Sequence, residues 1–131
     1  MINITIPGRV PSKKNSRQNI QIKGRLISIP GKAYRDWHKE VMKELSSYTG
    51  EKYIDHAEIS LTLFQPDKRK RDLTNQAESI MDLLVDYNIL IDDNCFIIPR
   101  LEIVFGGIDK DYPRAEVRID KISTGKQNES H

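Results

Sequence analysis

Cysteine is nearly absent from this chain. Cys95 stands alone, so no internal disulfide can form, which suits a reducing cytoplasm. Histidine is sparse too, and His38, His56 and His131 share no metal-site spacing with Cys95, which argues against structural zinc. No apolar run approaches the length of a bilayer crossing, and the start of the chain has no basic leader followed by an apolar core; neither membrane insertion nor export is expected. Several chemistries lack their motif. No glycine-rich turn follows a strand, Gly125-Lys126 lacks the spaced glycine of a P-loop, and Asp92-Asp93-Asn94 lacks the glycine and terminal Glu of an EF-hand loop. Cys95 has no evident base and reads as a small buried residue.

What the chain does have is charge, unevenly spread. Its 131 residues suit one domain, large enough to bury roughly two thirds of the surface its unfolded chain exposes. Residues 1–40 hold nine Lys and Arg against Asp36 and Glu40, a net of +7. Residues 73–105 hold Glu78, Asp82, Asp86, Asp92, Asp93 and Glu102 against Arg100, a net of −5. A basic surface beside an acidic centre is what a metal-dependent nuclease needs; a solvated surface with segregated charges is the alternative.

The two signs meet in residues 66–99. Four consecutive cations, Lys68, Arg69, Lys70 and Arg71, run into Asp72, Thr74 and Asn75, then a helical pattern, then the doublet Asp92-Asp93. Like charges this close repel, so a polyanion would relieve the run and a divalent cation the acids. A basic loop over residues 8–19, with Arg9, Lys13, Lys14, Asn15 and Arg17, offers further phosphate donors, or else a solvated loop.

Hydropathy patterning predicts a mixed α+β fold with a largely antiparallel sheet and two main helices. Strands are expected over residues 2–6, 54–64, 96–105 (interrupted at Pro99) and 113–122, the last near a sheet edge because of Pro113. Lys23-Gly24-Arg25 reads as the tip of a hairpin, and Gly106-Gly107 as a flexible turn. Helices are expected over residues 31–48 and from about 72–75 to 87. On the second, Leu73, Ala77, Ile80, Met81 and Leu84 share one side, and Asp72, Asn75, Ser79, Asp82 and Asp86 the other, with Glu78 at the border. Asn75 is positioned to cap that helix, with Glu78 completing a capping box. Residues 1–122 form the expected domain; the polar tail, 123–131, is expected to be disordered.

Arg71-Asp72-Leu73-Thr74-Asn75, then Asp82-Leu83-Leu84, then Asp92-Asp93, in that order and spacing, resembles the RusA family of Holliday junction resolvases. So does the opening: Pro11-Ser12-Lys13-Lys14-Asn15, then Gly24-Arg25, then Lys32-Ala33-Tyr34-Arg35-Asp36. The resemblance implies a homodimeric endodeoxyribonuclease that binds four-way DNA junctions and nicks two strands symmetrically with Mg²⁺, for which Mn²⁺ would substitute. A two-fold dimer suits a junction of near two-fold symmetry. Carried over by position, Asp72 and Asp93 become catalytic metal ligands, and Asn75, Asp82 and Asp92 supporting residues. By their own charge and donor groups, Lys13, Lys14, Asn15, Arg17 and the run 68–71 are the expected DNA-binding set. This chain has Thr74 where many members have a second aspartate, and Glu78 where many have a lysine. Positions 74 and 78 are rotated by only about 40° on a helix, so Glu78 is expected to supply the displaced carboxylate as ligand or base. The same fold binding junctions without cutting them, and a protein-interaction module with an acidic helix, are the competing readings.

Overall fold

The computed structural model describes residues 1–12, 17–46, 48, 50 and 54–122. It is an α+β structure in which one mixed sheet carries two helices. The first strand, β1 (Ile2–Pro7), buries Ile2, Ile4 and Ile6 on one face by simple alternation. A hairpin follows, β2 (Arg17–Ile22) and β3 (Arg25–Pro30). Lys23 and Gly24 both take positive φ, 52° and 78°, as a two-residue hairpin turn requires. Helix α1 (Lys32–Leu45) buries Tyr34, Val41 and Leu45, with Trp37 packed at the core's margin.

The remaining elements are β4 (Ala57–Gln65), α2 (Leu73–Asp86), β5 (Arg100–Ile108) and β6 (Arg114–Lys121). The sheet runs β1-β6-β4-β5, with β6 antiparallel to both β1 and β4, and β4 parallel to β5. A parallel pair needs a crossover, and α2 provides it. That single fact puts the acidic helix beside β5. The helix buries Ala77, Ile80, Met81, Leu83 and Leu84 and ends in a Schellman-type stop: Asn88 has φ 63°, its N–H donates to Val85 O, and Ile89 N–H donates to Leu84 O. Ile89 and Leu90 then return into the core, where Leu90 bridges Ile54.

Four expectations need correction. Strand β6 lies inside the sheet; Pro113 precedes it, so the missing N–H costs the ladder nothing, and the Pro113 carbonyl accepts from Gly8 N–H. Residues 95–97 form a turn, because the Asn94 side chain accepts from both Phe96 N–H and Ile97 N–H; the strand begins only at Arg100. Gly106 and Gly107 belong to β5, at a bulge opposite Leu63 and Phe64. A Cβ on Gly106 would sit 2.8 Å from Phe64 Cε1 and Cζ, so this glycine is needed for Phe64 to pack over the strand. Cys95 is exposed, at the start of that turn. The tail expected to be disordered lies outside the described residues. Among the described residues, no helix is long and apolar enough to cross a membrane.

Candidate metal and nucleic-acid site

The site begins with the cap of α2. Asp72 is the N-cap: its Oδ1 accepts from Thr74 N–H at 3.2 Å and from Thr74 Oγ1 at 2.7 Å, and its Oδ2 accepts from Asn75 Nδ2 at 3.4 Å. The expected cap at Asn75 with a capping box to Glu78 is therefore displaced by one turn. Asp72 is the last extended residue, and a carboxylate there reaches the free N–H groups of the first turn.

One turn further in, α2 faces β5 and the loop after Leu90. Thr74 and Glu78, four residues apart on the helix, line a cleft of about 310 Å³ together with Asp93. Its walls are Ala77, Met81, Ile98, Leu101 and Ile103. The doublet divides its labour. Asp92 turns back into its own loop, where Oδ1 accepts from Asp93 N–H at 2.8 Å and Oδ2 from Asn94 Nδ2 at 2.9 Å; these bonds hold its carboxyl below the usual carboxylate range. Asp93 faces the cleft. Desolvation raises its carboxyl above the usual range, and the charges of Asp92 and then Asp82 push the same way. Burial, and then the charges of Asp82 and Asp86, drive the Tyr34 phenol up to about 12.

Asp72 opens on a different cleft, of about 480 Å³, beside Arg9, Lys70, Arg71 and Asn75. Thr74 connects the two, since its hydroxyl donates to Asp72 while the residue lines the cleft of Asp93. Among the described residues, no three His, Cys, Asp or Glu side chains group closely enough to hold a metal ion. The anticipated set Asp72, Glu78 and Asp93 is thus not gathered into one ligand group: Glu78 and Asp93 share a cleft, and Asp72 stands one cleft away. Two carboxylates and a hydroxyl, all oxygen donors, still match Mg²⁺, which is commonly held by one or two carboxylates with water and substrate phosphate completing its shell.

The basic run is not uniform. Arg71 is nearly buried and pairs with Asp67, at 2.8 Å and 3.2 Å, which pulls the Asp67 carboxyl down to about 2. Lys68, Arg69 and Lys70 are exposed. Lys13, Lys14 and Asn15 lie outside the described residues, and Arg17 is described only as the first residue of β2.

Sequence reasoning missed the polar residues that seat the helix. Gln65 and Gln76 are buried and exchange amide hydrogen bonds at 2.8 Å and 3.3 Å, Gln76 Nε2 also donates to Val10 O, and Ser79 Oγ donates to Pro11 O. These bonds fasten α2 to the end of β4 and to the segment after β1. They thereby fix Arg9 beside Asp72. The only advance sign was a polar residue on an otherwise apolar helix face at Gln76. Compared with known proteins, the chain matches no family model and no curated protein.

Proposed function

We propose that this chain is a magnesium-dependent endodeoxyribonuclease of the RusA type that cuts branched, four-way DNA. The observation that carries the reading is the cleft lined by both Glu78 and Asp93, with Glu78 seven residues, about two helical turns, beyond a cationic run that ends at Arg71. Glu78 and Asp93 would hold Mg²⁺ with the Thr74 hydroxyl nearby, and a bound ion supplies charge neutralisation at phosphoryl oxygens and a water of lowered pKa. Glu78 would serve as ligand or as the base that takes up the proton lost by the attacking water. Lys68, Arg69 and Lys70 grip the flanking phosphates, and Lys70 and Arg9 do so beside Asp72. A two-fold dimer would present two such sites to one junction.

A second reading, junction binding without cleavage, is favoured by two observations: Thr74 stands where many members of the resembled family have a second aspartate, and no three-ligand acid group occurs among the described residues. A nicking assay on a labelled four-way junction separates the two. The nuclease reading predicts paired nicks with Mg²⁺ and none with chelator; junction retardation on a gel with no nicks under either condition would favour the second.

A further inference from the structure

Where β5 meets the segment leading into α2 there is a third cleft, of about 550 Å³, whose apolar residues have no part in metal or phosphate binding. Its floor is apolar: Leu73 opens α2, and Phe105 and Ile108 come from β5. Its rim is cationic, formed by Lys68, Arg69 and Lys70. Phe105 is 54% exposed and Ile108 49%, so the floor is open to solvent. The one acid on the rim, Asp67, is held by Arg71, so the rim as a whole is positive. The platform is also firmly built. Phe105 sits opposite Leu63 in the β4–β5 ladder, next to the glycine that lets Phe64 pack over the strand.

An apolar ligand would fill the floor and leave three cations without a partner. A phosphate, or the backbone of an intact duplex, would satisfy the cations and leave Phe105 and Ile108 wet. An unpaired nucleotide answers both, with its base on the aromatic face and its flanking phosphates on the rim, the combination found where single strands are bound without sequence preference. We propose that this cleft takes one unpaired DNA base together with its neighbouring phosphates. The proposal rests on the nuclease reading above and deepens it: the cleft would hold a base released from stacking at the branch point, next to the strand to be cut.

The test compares the affinities of the full chain and its variants for a labelled oligothymidylate and for a labelled duplex of equal length, by fluorescence anisotropy. Phe105→Leu keeps an apolar floor but removes the aromatic face, and should lower the single-strand to duplex affinity ratio by about five- to a hundredfold. Phe105→Trp should restore the ratio, and its added indole emission should be quenched as oligothymidylate binds. An unchanged ratio in Phe105→Leu overturns the proposal, and so does a changed sedimentation coefficient with an unchanged ratio, which would assign Phe105 to a contact between two copies. Failure of the underlying reading looks different: the unsubstituted protein then binds neither DNA, or binds both and never cuts a junction with Mg²⁺.

Discussion

Asp92 and Asp93 are sequence neighbours whose carboxyls are driven in opposite directions, one by hydrogen bonds to its charged form and the other by desolvation beside like charge. The sign of the second effect fixes a prediction. A carboxyl whose pKa is raised on folding is held protonated by the folded state at pH values where the unfolded chain has already lost its proton. Stability therefore falls as pH rises from the unfolded carboxylate range through the folded pKa, and the deficit persists at neutral pH. Asp93→Asn removes that deficit while abolishing the proposed ligand. It should melt higher than the parent at pH 7, lose the gain below about pH 4, where both forms are neutral, and leave junction DNA uncut. Melting curves at pH 7 and pH 3 check the first part; a variant that melts lower at pH 7 contradicts it. Glu78→Gln addresses the departure at position 78. If Glu78 replaces the carboxylate missing at Thr74, magnesium-dependent nicking should fall by orders of magnitude with the melting temperature nearly unchanged, and undiminished nicking would dismiss the substitution idea.

At the scale of elements, α2 is both a structural crossover and the carrier of the acids, so its cap has two jobs that mutation can separate. Asp72→Ala removes the acceptor for Thr74 N–H and should cost about 1 kcal/mol. Asp72→Asn keeps an equally good cap and should leave the melting temperature close to the parent's; any loss of cleavage in that variant then reports on the carboxylate's charge. Equal destabilisation by both would mean the cap geometry is misassigned. Gln76→Ala tests the seat of the helix, because it strands the buried Gln65 amide and Val10 carbonyl; a cost of about 1–3 kcal/mol is expected from denaturant unfolding.

What could be read in advance follows from which signals are local. The hairpin was legible because Lys23-Gly24-Arg25 sits between two short apolar runs and Gly24 readily adopts the positive φ the turn requires. That Thr74 and Glu78 line the same face of α2 was legible from helical spacing alone. The strand order was not, since a proline at 113 looks the same whether it limits an edge strand or merely precedes a central one. Nor was the turn at residues 95–97, where one asparagine side chain overrides a run of apolar residues. The division of Asp72 from Asp93 between two clefts depends on how far the loop after Leu90 travels, which no spacing encodes.

Across the whole molecule, the uneven charge of the chain becomes a surface arrangement. Lys68, Arg69 and Lys70 rim the apolar cleft under β5, and Lys70 also borders the cleft of Asp72, so one run serves both. Arg71 serves structure through Asp67. Replacing Lys68 and Lys70 together by Ala should weaken DNA binding similarly for all sequences and reduce the slope of log affinity against log salt by about 0.9 for each phosphate that is no longer neutralised. An unchanged slope would remove the run from the interface. Cleavage by this protein requires that a divalent ion work in the cleft between α2 and β5. The most direct measurement is an anomalous difference map from crystals of the protein soaked in Mn²⁺, with and without a bound four-way junction. A nuclease of this kind should show a peak between Glu78 and Asp93, strengthened when DNA is bound; a map with no peak there in either state, or with one only at a distant surface carboxylate, would rule the metal site out.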